Sequence, residues 1–172
     1  FDKIANNNYQ NSQGLFFNTF SKEEIMAVMN AVGKAVLDMG PGMKVTCESR
    51  KMQFVLDEPP ELGGTNLGMN PVEALLNSLA ACKCIVAKCF AKANGVELEG
   101  LTVSCKGVLD PDGFMGINPD VKIGFSEITT TYNFKTSSPK DKVDALVKYI
   151  ESHCPVHDTL VNPAKFKCVV KV

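Results

Sequence analysis

At 172 residues the chain has the length of one ordinary domain, which would bury about 70% of its unfolded surface, and it is short for two. With 18 Lys and Arg against 19 Asp and Glu the formal charge is -1, so no long-range positive field exists to gather nucleic acid or an anionic membrane. Apolar runs are only a few residues long against the ~20 a spanning helix needs, and the polar start (Asn6, Asn7, Asn8, Gln10, Asn11) is unlike a signal peptide, so a soluble, cytoplasmic protein is expected.

Residues 1–19 are rich in Asn and Gln without periodicity and read as an arm. Ser21 and Glu24 form a capping box, and Ile25, Met29, Val32 and Val36 recur at helical spacing, which predicts a helix over 21–38 stopped by Gly40-Pro41. Residues 1–42 are thus expected to be an arm and extra helix, ahead of a core over 43–172, all within one domain.

Met43, Val45 and Cys47, then Met52, Phe54 and Leu56, alternate as two strands or a hairpin would. Asp57-Glu58-Pro59-Pro60 and Gly63-Gly64 break regular structure. Asn70 as N-cap, Pro71 at the first helical position and Glu73 three residues past the cap then open a helix through Ala93, with Gly95 as terminator. At about 100° per residue, Leu75, Leu79, Cys82, Val86, Cys89, Phe90 and Ala93 share one side of it.

Leu101–Leu109 and Val121–Phe134 read as strands joined by a Pro/Gly turn, and the apolar phase change between Phe125 and Ile128 suggests a bulge. A second helix is expected from Ser138 as cap and Pro139 at its first position, with Val143, Leu146, Val147 and Ile150 as its stripe. Phe166, Cys168, Val170 and Val172 alternate with lysines as a last strand. The sum is an α+β domain with mostly antiparallel strands packed against long helices.

Seven cysteines are an odd set for a chain that needs no staples, which favours reduced thiols over a disulfide framework. Cys154 precedes Pro155 and so can cap a short helix through Leu160, where free N–H groups favour an anion; His153 and His157, the chain's two histidines, flank it. A buried small residue at a helix kink is the plainer alternative. Cys82 is mid-helix, where burial alone would leave it inert unless a charge partners it. A packed core position is the default for it, as for Cys47, Cys84, Cys89, Cys105 and Cys168. The Cys and His spacing matches no familiar zinc site. Glu73 can be a charge partner but is already explained as a cap, and Arg50, the chain's one arginine, lies in strand-like sequence.

Three pieces in order, Asp57-Glu58-Pro59 with Leu62-Gly63-Gly64, Asn70-Pro71-Val72-Glu73-Ala74-Leu75-Leu76 through Leu79-Ala80-Ala81 to Cys82, and Cys154-Pro155-Val156, resemble the OsmC/Ohr superfamily of osmotically inducible and organic hydroperoxide resistance proteins. The resemblance implies an intertwined homodimer with sheets wrapped around long central helices. It also implies a peroxidase of organic hydroperoxides that needs no metal or flavin. Cys82 would attack the peroxide and become a sulfenic acid, and Cys154 would resolve it to a disulfide, reduced in turn by a dithiol such as a lipoylated protein. In the family's established peroxidases a glutamate directly follows the motif proline and an arginine stands shortly before it, whereas the OsmC-like branch, which this pattern resembles more, keeps the cysteines and varies the surrounding charges. Here Val72 takes the glutamate's place, with Glu73 one step later, and no arginine lies between Lys51 and Pro71. Glu73 and Arg50 are the candidate assistants. The alternative is a non-catalytic dimer that binds an apolar small molecule or senses redox state.

Overall fold

Residues 28–172 are described by the computed structural model. They divide into two compact units, 28–77 and 78–172. The expected arm, and the start of the expected first helix, lie outside the described residues.

In the first unit, β1 (Lys34–Leu37), β2 (Val45–Ser49) and β3 (Met52–Leu56) form an antiparallel sheet in that order. Val36 pairs with Thr46 and Leu37 with Val45. The helix expected to reach residue 38 is therefore corrected: 28–33 are irregular and 34–37 are strand. Helical spacing at Val32 and Val36 is outweighed by backbone pairing to β2, which the turn at Gly40-Pro41-Gly42 makes possible. The β2–β3 hairpin forms where alternation placed it, turning at Arg50 and Lys51, both with positive φ (50° and 68°) as a two-residue type I′ turn requires.

The loop after β3 is organised by Asp57, only 1% exposed. Its carboxylate accepts from the N–H groups of Met43, Glu58, Thr65 and Leu67 and from the Thr65 hydroxyl. Asp57, which by sequence belongs to a break in regular structure, is the hub of the loop. Gly64 is needed there, because a Cβ would lie 1.8 Å from the Glu58 carbonyl oxygen.

The long helix α1 (Pro71–Phe90) starts as the capping box predicts. Asn70 Oδ1 accepts from Glu73 N–H, and Glu73 Oε2 accepts from Asn70 N–H, each at 2.9 Å. A 3-10 turn (Lys92–Asn94) and Gly95 at φ 72° end it.

In the second unit, β4 (Gly100–Val108) and β5 (Glu127–Lys135) pair antiparallel from Gly100 opposite Lys135 to Val108 opposite Glu127. The register is unbroken, so the expected bulge is absent: the phase change marks the start of β5, and 121–126 are irregular. Between them the expected turn winds into a short helix α2 (Pro111–Met115), capped by the Asp110 side chain. Helix α3 (Lys140–His153) opens at Pro139 rather than Ser138, because the Ser138 hydroxyl accepts from Glu97 N–H instead. Helix α4 (Pro155–Val161) follows at once.

The core joins Leu79, Val86, Ala87, Ala91 and Val96 to Leu146, Ile150 and Cys154, with Leu101, Cys105, Ile128, Tyr132 and Phe134 of the sheet packed against it. The α3 stripe is as expected. On α1 the buried line is Leu79, Lys83, Val86 and Ala87, rotated from the expected face, while Ala93 is exposed and Cys82 and Cys89 are half-buried. Residues 163–172 carry neither helix nor strand and are exposed, Cys168 included. Alternation defines a face, but a strand also needs a neighbour to pair with. The architecture is α+β.

Candidate active site

The kink between α3 and α4 positions Cys154. Proline 155 cannot continue α3 and suits the first position of α4, so Cys154 takes extended geometry (φ -83°, ψ 111°) and becomes the N-cap of α4. Its sulfur accepts from the His157 N–H at 3.4 Å. Its thiol points across the core at α1, where the Cys82 sulfur lies 3.0 Å away. Both are free thiols, Cys154 1% exposed and Cys82 half-buried.

The electrostatics of Cys154 differ from the expectation. Burial pushes its thiol up from the ordinary value and the hydrogen bond to Cys82 adds to this, while the N–H groups at the start of α4 only partly offset them. Cys154 thus holds its proton more firmly than an ordinary thiol, and it donates to the Cys82 sulfur. Nor do the two histidines turn towards the thiol. His153 stacks on Tyr149 with ring centroids 3.8 Å apart, and His157 Nδ1 faces Glu151 Oε2 at 3.3 Å.

Next to Cys82 in the chain, Lys83 is buried with 1% exposure. Its ammonium donates to Glu151 Oε1 and Oε2 at 2.7 and 2.8 Å and to Thr130 Oγ1 at 2.9 Å, and it sits 5.7 Å from the centre of the Tyr132 ring. Tyr132 Oη donates to Glu151 Oε1 at 2.6 Å. Burial works against the charge on Glu151, but the bonds from Lys83 and Tyr132 win and its pKa lies below the ordinary carboxylate value. The Tyr132 hydroxyl is pushed up, first by burial and then by its bond to Glu151.

A cleft of about 430 Å³ opens beside this network. Leu79, Phe125, Ile128, Leu160 and Val161 supply apolar wall, while Lys83, Thr130, Glu151 and His157 supply polar groups. Among the described residues no group of three or more His, Cys, Asp or Glu is arranged to hold a metal ion. Nor is any described helix long and apolar enough to cross a membrane.

Cys82 and Cys154 are brought together; the proposed assistants have other settings. Glu73 is engaged in the cap of α1, about two and a half turns before Cys82. Arg50 occupies the exposed tip of the β2–β3 hairpin in the first unit. Lys83, Glu151, Tyr132 and Thr130 were not singled out from the sequence. The signal available for Lys83 was its spacing, four residues after Leu79 and four before Ala87, on a line that is otherwise apolar.

Residues 64–169 match the family described as OsmC-like protein. The chain is 26% identical over 129 residues to a hydroperoxide reductase of Mycoplasma genitalium, covering 74% of this chain and 86% of that protein. It is 28% identical over 139 residues to a hydroperoxide reductase of Mycoplasma pneumoniae, covering 80% and 92%. Among solved structures, an OsmC-like protein from Mycoplasma pneumoniae superposes with a TM-score of 0.69 at 23% identity, over 80% of this chain and 91% of that one. An organic hydroperoxide resistance protein OsmC from Legionella pneumophila gives 0.55 at 20% identity, over 79% and 92%. The two structures share this chain's fold.

Proposed function

The chain belongs to the OsmC-like family, and from that premise we propose that it is a thiol-dependent peroxidase that reduces organic hydroperoxides and works as a homodimer. The observation that carries the reading is the pair of free sulfurs 3.0 Å apart, one half-buried and one enclosed. About 1 Å of approach turns that contact into a disulfide bond.

The half-buried Cys82 is the nucleophile. Its thiolate attacks one peroxide oxygen, the O–O bond breaks, and the departing alkoxide leaves as an alcohol with a proton from the medium, so that Cys82 becomes a sulfenic acid. Cys154 then attacks the Cys82 sulfur; its proton and the sulfenic hydroxyl leave as water and the disulfide closes. An external dithiol, such as a lipoylated protein, returns two electrons and two protons and restores both thiols. The retained proton on Cys154 suits this order, because the resolving thiol is called on only after Cys82 has been oxidised.

The test is consumption of tert-butyl hydroperoxide with a dithiol reductant. Wild-type protein is expected to turn over, Cys82→Ser to lose all turnover, and Cys154→Ser, reduced and then freed of dithiol, to perform one oxidation and stop as a dimedone-trappable sulfenic acid. Wild-type protein, fully reduced at the start, that leaves the peroxide untouched refutes the proposal.

A further inference from the structure

A chain of side-chain contacts links the two sulfur-bearing segments. Lys83 follows Cys82 on α1, and its buried ammonium is held by both oxygens of Glu151. Glu151 Oε2 faces His157 Nδ1 at 3.3 Å. His157 lies in the first turn of α4, and its N–H donates to the Cys154 sulfur, which in turn contacts Cys82. The path closes on itself: Cys82, Lys83, Glu151, His157, Cys154 and back to Cys82. Thr130 and Tyr132 brace it from β5 through their bonds to Lys83 and Glu151.

We propose that Glu151 is a positioning residue for the Cys82–Cys154 disulfide, holding the α1 and α4 segments so that the second sulfur meets the first. This rests on the peroxidase reading for its biological use, though the tether itself can be measured without peroxide. An ammonium as deeply enclosed as that of Lys83 cannot exchange its carboxylate for water, so the tether is stiff in a way that an exposed ion pair is not. Stiffness matters because the rate and equilibrium of ring closure depend on effective molarity, and a displacement of about 1 Å can cost up to about 100-fold.

Glu151→Leu by itself strands the Lys83 ammonium, so the test adds two variants that keep the fold. Lys83→Met/Glu151→Leu replaces the pair by apolar groups of similar size, and His157→Ala removes the half-exposed α4 end of the tether. The first readout is the equilibrium constant for forming the Cys82–Cys154 disulfide from the dithiol with oxidised dithiothreitol. The double variant is expected to lose about tenfold in that constant, a rise of about 30 mV in reduction potential, and His157→Ala to shift the same way by about threefold. The second is dimedone trapping after one equivalent of tert-butyl hydroperoxide. The share of oxidised Cys82 that is trapped as sulfenic acid, rather than closed as the disulfide, should rise in both variants. Folded variants with the wild-type equilibrium constant overturn the proposal, as does a wild-type chain that forms no Cys82–Cys154 disulfide with oxidised dithiothreitol. A wild-type chain that forms the disulfide but consumes no peroxide defeats the peroxidase reading and leaves the shifted equilibrium in the variants as support for the tether.

Discussion

Removing one member of the Lys83–Glu151 pair at a time should have unequal costs, because the two groups differ in access to water. The Lys83 side chain is 2% exposed and that of Glu151 is 34% exposed. In Glu151→Leu the ammonium keeps only the Thr130 hydroxyl and the face of Tyr132, 5.7 Å away, and stays enclosed. Breaking a buried pair in this way costs about 3–5 kcal/mol. In Lys83→Met the carboxylate keeps the Tyr132 hydroxyl and His157 and can draw in water, so the cost is that of the lost hydrogen bonds, about 1–2 kcal/mol. Lys83→Met/Glu151→Leu should fall within about 1 kcal/mol of wild type, well short of the sum of the single changes.

Urea unfolding followed by circular dichroism, with all thiols reduced and protomer concentration held fixed, measures all four proteins. The pH dependence has a definite sign. The folded-state pKa of Glu151 is depressed below its unfolded value, so its contribution is fully present above the ordinary carboxylate range and is lost as pH falls through the lowered value. The gap between wild type and Glu151→Leu should therefore close in acid. Equal costs for the two single variants, or a Glu151→Leu cost below about 1 kcal/mol, would show that the buried ammonium is not stranded and refute the reasoning.

Two further outcomes follow from other carboxylate and thiol settings. Asp57→Asn should lower the urea midpoint at neutral pH and speed amide exchange at Glu58, Thr65 and Leu67. The Thr65 hydroxyl, followed by the loop N–H groups, holds Asp57 below the usual carboxylate range, so its contribution is lost only as pH falls through that lowered value and the two proteins should converge in strong acid; equal midpoints at neutral pH would count against the hub. Iodoacetamide at neutral pH should label exposed Cys168 well before Cys154, which is buried and has a raised pKa, and the lag should shrink as pH rises; mass mapping that finds both labelled together contradicts this setting.

What the sequence determined by itself is local. Asn70, Pro71 and Glu73 specify the start of α1, because a capping box is satisfied within four residues. Cys154-Pro155 specifies the break between α3 and α4, because proline restricts its own φ and the residue before it. The α3 stripe at Leu146 and Ile150, and the ordered motifs around Cys82 and Cys154, were legible for the same reason: each is written in neighbours along the chain. Tertiary structure alone decided the rest. Val36 becomes strand because β2 lies beside it, while Phe166 to Val172 alternate without becoming one. Lys83 is buried because a carboxylate 68 residues away meets it, and Cys82 faces Cys154 across 72 residues. Propensity and periodicity act over a helical turn or a strand pair, whereas the burial of a charge or the meeting of two sulfurs depends on what the folded chain brings to the other side.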